Sequence, residues 1–211
     1  MQVSYQNKQV KATVSAHCWR NPTLNVCFPQ SFEAGQEGKV PFEIKQFDVA
    51  TLQPYLEKQT QLQGMVSAKG DAAWFKNKSL QVNVELNSNR LSIEQKLDNA
   101  RFPLVLSPLR LNAKLADNQL TLKTDLTVEN NGRLSSELRV ADIANKRQLS
   151  GNIDIDRLNI NLAKPLLSGG EMIDGHITAR LTMGGTALSP QLFGNLSLSG
   201  LKAKSNARRR A

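Results

Sequence analysis

Aromatic residues are scarce in this chain of 211 residues: seven Phe, two Tyr and two Trp, 5% of the total. Histidine and cysteine occur only twice each. No run of 18 or more apolar residues exists, so no stretch reads as a membrane-spanning helix. Each shortage removes a class of function. His17 and His176 are far apart and have no HxxxH or CxxC spacing around them, which argues against a metal site. Ser168-Gly169-Gly170 and Gly184-Gly185-Thr186 lack the lysine and spacing of a phosphate-binding loop and read as turns. No GxSxG elbow precedes a helix. Asp154 and Asp156, interleaved with isoleucine, read as solvent-side residues of one strand. The expectation is a protein that is not an enzyme and needs no cofactor.

Net charge is +9, of which Arg208, Arg209 and Arg210 supply three. The other basic residues are scattered between apolar ones, and a nucleic-acid binder would need a basic stripe with stacking aromatics or a recognition helix. No nucleic-acid partner is expected. The scattered charge reads as a solvated polar face, with a weak attraction to anionic lipid head groups as its functional alternative.

What the chain has is period-two alternation. Val10, Ala12, Val14, Ala16 and Cys18 form one set; Leu80, Val82, Val84 and Leu86 a second; Leu109, Leu111, Ala113 and Leu115 a third. Leu120, Leu122, Thr124, Leu126 and Val128 follow, then Leu134, Ser136, Leu138 and Val140. This spacing puts apolar side chains on one face of a strand and Lys, Asn, Asp, Ser and Thr on the other. Turn signals at Asn87-Ser88-Asn89, Ala116-Asp117-Asn118, Asn130-Asn131-Gly132 and Asn145-Lys146 mark reversals between antiparallel neighbours.

In "HCWRNPTLNVC", pairing the flanks around Pro22-Thr23 sets Trp19 opposite Val26 and Cys18 opposite Cys27. A cross-strand disulfide fits that register and implies an oxidising compartment; the alternative is a pair of buried thiols in a reducing one.

A second pattern spans two segments 111 positions apart, near 42–70 and 153–181. Ile44, Pro54, Leu56, Gly64 and Ala68 recur as Ile155, Pro165, Leu167, Gly175 and Ala179. Within each copy the apolar spacing slips from two to three residues, between Ile44 and Phe47 and between Ile155 and Leu158, where a bulge or strand end is expected. The slip leads into a short helix near 51–58 or 161–168 that caps the sheet, with its proline in the first turn. Gly64 or Gly175 then opens the next strand. The expected fold is therefore all-β: a single elongated domain over 1–211, mostly antiparallel, with two short capping helices.

Apolar strand faces must be covered by something, and this chain has almost no amphipathic helix with which to do it. Either the sheet closes on itself as a sandwich, serving as a spacer with no cargo, or it curls into an open trough. In the trough, Val82, Val84, Leu111, Leu122, Leu126, Leu138, Ile153, Ile155, Leu196 and Leu198 would line an apolar floor. At roughly 0.8 kcal/mol per methylene, an acyl chain of about 16 carbons meets a barrier above about 10 kcal/mol on entering water. A continuous aliphatic floor removes much of it.

The order of "CWRNPTLNVC", then "LQPYL", then "LQGMVSAKGDAAW" resembles the TamB family, itself distantly similar to AsmA-like and other bridge-like lipid transfer proteins. The resemblance covers most of the chain and is clearest from Cys18 to Trp74. It implies a taco-like β-trough in the periplasm, belonging to an internal fragment of a protein anchored in the inner membrane. It also implies membranes at both ends of the full-length protein, phospholipid as cargo, and a TamA-like outer-membrane partner reached through that longer protein. A second role goes with it: a scaffold or chaperone for outer-membrane β-barrel assembly and autotransporter secretion.

Overall fold

The structure is a computed structural model that describes residues 3–6, 11–97, 101–162 and 172–204. Fifteen strands join in one sheet, and every pairing is antiparallel. The strands are β1 (Val3–Gln6), β2 (Lys11–Val14), β3 (His17–Arg20), β4 (Leu24–Phe28), β5 (Phe32–Ala34), β6 (Gly38–Asp48), β7 (Thr60–Phe75) and β8 (Lys78–Ser88). After them come β9 (Leu91–Lys96), β10 (Arg101–Ala116), β11 (Gln119–Val128), β12 (Gly132–Ala141), β13 (Gln148–Asn159), β14 (Met172–Thr186) and β15 (Ser189–Lys204). The order is β1-β2-β5-β6-β7-β8-β10-β11-β12-β13-β14-β15, with the β3–β4 hairpin paired to β6 through β4.

One expected reversal is absent. β8 and β9 both lie between β7 and β10 and run in the same direction, so Asn87-Ser88-Asn89 is a jog in one interrupted strand. Side chains tie the jog to both neighbours: Ser88 Oγ donates to the Met65 carbonyl at 2.7 Å, and Ser107 Oγ to that of Asn89 at 2.9 Å. The Asn and Ser that signal a turn here satisfy a bulge instead.

The jog belongs to a line of irregularities crossing the sheet. Register shifts fall between Ile44 and Phe47 in β6, between Leu106 and Leu109 in β10 and between Ile155 and Leu158 in β13. The pairings connect them. Ser67, opposite the first, pairs with Asn87 at the jog; Thr127, opposite the second, pairs with Arg133, which pairs with Asp156 at the third. Extra residues on one strand bend it and raise its twist. Val66, Ala68, Leu106, Val128 and Ala179, exposed by only 1–9%, lie along this line. Among the described residues no large side chain is fully buried, so the core is a seam and not a layer.

A seven-residue 3-10 helix, Val49–Tyr55, follows the β6 shift. It begins two residues before the expected 51–58 because Asp48 is its N-cap, accepting from the Ala50 amide at 3.0 Å. Pro54 therefore sits near its end and not in its first turn. The same features recur 111 residues on. Asn159 accepts from the Asn161 amide at 2.9 Å, and a 3-10 turn covers 160–162. Pro165 and the rest of the expected helix near 161–168 lie outside the described residues. Gly64 and Gly175 have φ of +137° and +140°, and a Cβ on Gly64 would stand 2.5 Å from the Arg90 carbonyl oxygen. Ile44 pairs with Ala68 and Phe47 with Val66, as Ile155 does with Ala179 and Leu158 with Ile177.

Candidate functional site

Directly opposed residues of an antiparallel pair share a face, so the register assigns every side chain to one side or the other. All ten residues expected to line an apolar floor fall on the same side. Val82 and Val84 oppose Leu115 and Ala113; Leu111 lies in strand with them and opposes Thr124; Leu122 and Leu126 oppose Leu138 and Leu134. Leu134 then opposes Ile155 and Ser136 opposes Ile153. Ile155 leads through Ala179 to Leu196, and Leu198 opposes Ile177. The eight of them on β8 to β13 are half-buried, whereas Leu196 and Leu198 on β15 are 59% and 53% exposed.

The same face ends in aromatics. Val26 opposes both Ile44 and Trp19, which places Trp19 at the outer end of a row of apolar side chains that runs through Ile44, Ala68 and Leu86 to Leu111. Trp19 packs edge-on against His17 and Phe28, with ring centroids 5.5 and 5.6 Å away, and Phe28 lies 5.5 Å from Phe32. On the reverse side of this hairpin, Cys18 and Cys27 oppose one another and are bonded. The disulfide fits the oxidising reading of the two cysteines.

The other face is a lattice of charge. Glu43, Lys69, Glu85, Asn112, Lys123, Glu137 and Asn152 stand opposite one another in turn across seven strands. Ion pairs bridge Lys69 to Glu85 at 2.9 Å and Lys123 to Glu137 at 3.2 Å. Glu137 also accepts from Arg139 at 2.9 Å, and Arg133 grips Asp125 with two bonds of 3.0 and 2.6 Å. Hydrogen bonds from Lys123 and Arg139 hold the Glu137 carboxyl below its usual range, and Asp125 raises the Arg133 guanidinium. Glu85 likewise raises Lys69, and the Lys146 amide, with the Asn145 side chain, lowers Asp142.

A groove of about 750 Å³ opens over this polar face, lined by residues that include Glu43, Lys69, Glu85, Lys114, Lys123 and Arg139. Sequence reasoning reads these residues as a solvated face and misses the groove, because alternation tells which side a residue is on and not how the sheet curves. A twisted sheet is saddle-shaped, so each face is concave along one diagonal. Among the described residues, no three His, Cys, Asp or Glu side chains meet as a metal site would require.

The family model described as "TamB, N-terminal domain" matches residues 1–198. The chain is 38% identical over 202 residues to the translocation and assembly module subunit TamB of Haemophilus influenzae. That match takes in 96% of this chain and 16% of the relative, so the chain spans about a sixth of that protein's length. No solved structure gives a significant match.

Proposed function

The chain belongs to the TamB family, and on that premise we propose that it is a periplasmic segment of a phospholipid conduit whose aliphatic face shields acyl chains on their way to the outer membrane. The observation that carries this reading is the aliphatic face itself. It keeps to one side of the sheet from β7 to β15 by register and has no large side chain fully buried among the described residues, which a closed sandwich of this size would have in number. The seam of buried Val66, Leu106, Val128 and Ala179 supports a sheet folded along its bulges into a trough, with the seam as its floor. Nothing in this role requires catalysis. The membranes and a TamA-like outer-membrane protein are partners of the longer protein.

Photo-crosslinking amino acids at Leu122 and Leu126 capture phospholipid in cells, while one at Lys123, on the other face, does not. Capture at Lys123 alone overturns the reading. The same aliphatic face admits a second role. As a scaffold for outer-membrane β-barrel proteins it would hold the apolar side of a nascent strand. Crosslinks from Leu196 and Leu198 to unfolded barrel chains, in place of lipid, favour that role.

A further inference from the structure

Two hydroxyls interrupt the aliphatic face near its middle. Thr124 and Ser136 stand directly opposite each other on β11 and β12, in the row Leu111–Thr124–Ser136–Ile153. Leu122 and Leu126 flank Thr124 along its strand, and Leu134 and Leu138 flank Ser136. Both residues are half-buried, and neither hydroxyl has a protein hydrogen-bond partner among the described residues. Two other polar groups on this face are bonded within the protein: Thr60 Oγ1 donates to Gln95 Oε1 at 2.6 Å, and Ser88 Oγ to the Met65 carbonyl. Two donors open to solvent and without a protein partner, roughly 5 Å apart and ringed by leucine and isoleucine, are the wrong chemistry for a surface that only has to be greasy. Valine and alanine would fill the same positions without disturbing the strands.

Resting on the conduit reading, we infer that Thr124 and Ser136 form a hydrogen-bonding station for the ester carbonyls of a diacyl lipid. Each hydroxyl donates to one carbonyl oxygen while the acyl chains lie over the flanking leucines. An ester carbonyl is the polar group closest to the acyl chains of a phospholipid, and it is an acceptor with no proton of its own. A pair of rotatable hydroxyl donors in an apolar surround matches it. The surround also strengthens the bonds, because water competes less there than on the charged face. The station gives an otherwise unselective floor one point at which a lipid is held in register, with its head group directed to one side.

The test compares two probes with the same head group and chain length: dipalmitoyl phosphatidylethanolamine and its dihexadecyl diether analogue, which has no carbonyls. Loading of the protein is read by native mass spectrometry. The wild type should take up the diester about three- to tenfold better, the ratio expected for one or two net hydrogen bonds. In the double variant T124V/S136A the preference should vanish, with diether loading unchanged. T124S, which keeps the donor, should retain it, and S136A alone should halve the advantage or more. Equal uptake of both lipids by the wild type, or a preference that survives the double variant, overturns the station and leaves the conduit standing. Uptake of neither lipid overturns the conduit reading and the station with it.

Discussion

Leu122→Arg separates an open floor from a closed core. Leu122 sits in the row Val84–Ala113–Leu122–Leu138–Gly151–Met183–Leu192, which crosses seven strands. An acyl chain of about 16 carbons, roughly 20 Å long, spans about four strand spacings of about 4.8 Å if it lies along such a row. One strand position therefore covers about four methylenes. A guanidinium at position 122 removes apolar cover from those four, which at about 0.8 kcal/mol each is about 3 kcal/mol, or roughly a hundredfold in the rate of passage. Folding should suffer far less. On a half-buried open face the arginine stem covers its neighbours while its charge reaches water, so the loss is about 1–2 kcal/mol. Inside a closed core the same charge would cost several kcal/mol more and unfold the domain. Lipid transfer between vesicles, measured beside far-UV circular dichroism, reads both quantities. Transfer should fall with the β-sheet signal intact. A variant that loses its sheet, or one that keeps the transfer rate of the wild type, refutes the reasoning.

Three further outcomes follow from the geometry. Replacing Cys18 and Cys27 by serine opens a loop with a sequence separation of 9 and should lower stability by about 2–3 kcal/mol, read as a shift in the urea midpoint; no shift between oxidised and reduced protein counts against a bridge that holds the hairpin. Gly64→Ala forces a Cβ to 2.5 Å from the Arg90 carbonyl oxygen at a φ of +137°, which should cost about 2 kcal/mol and lower Tm by about 4–8 °C; an unchanged Tm contradicts the close crossing of β7 and the jog. For acid, Glu137 and Asp142 both have folded pKa values below their unfolded ones, so their stabilisation is complete above the ordinary carboxylate range and is lost as pH falls through the lowered values. Thermal stability should decline only below the ordinary glutamate value of 4.5, with Glu137→Gln removing part of the decline; a decline already present between pH 7 and 6 would assign the effect to other groups.

How much of this architecture could be read in advance depended on the kind of information each feature needs. Facing is local: Leu120, Leu122 and Leu126 alternate with Gln119, Thr121, Lys123 and Asp125, and a strand has only two sides. The opposition of Cys18 and Cys27 was legible for the same reason, since the turn residues between them leave little choice of register. The slips at Ile44–Phe47 and Ile155–Leu158 were visible as a third residue in a period of two, and register shifts lie there. The jog at Ser88 was not, because Asn and Ser satisfy a bulge with the same hydrogen bonds that they offer a turn. What decides between them is whether Met65 and Asn89 meet their partners across strands. The groove over Lys69, Lys123 and Arg139 was hidden for a related reason. Curvature comes from twist summed over many strands, and no single strand contains it.

The correspondence between β6–β7 and β13–β14 sets a unit of length. From β6 to β13 the sheet advances six strand places, about 29 Å at about 4.8 Å each. Over that distance the combination of bulge, 3-10 turn and left-handed glycine returns once, and a bulge without the 3-10 turn falls midway, in β10. A sheet assembled this way behaves as a ruler graduated in whole units. Gain or loss of a complete unit of 111 residues would change the reach of the protein by one graduation while keeping the seam in phase and the aliphatic face on one side. Removal of an odd number of strands would reverse the chain direction at the junction. A change in span that keeps both the seam and the aliphatic face intact is therefore a change by whole units.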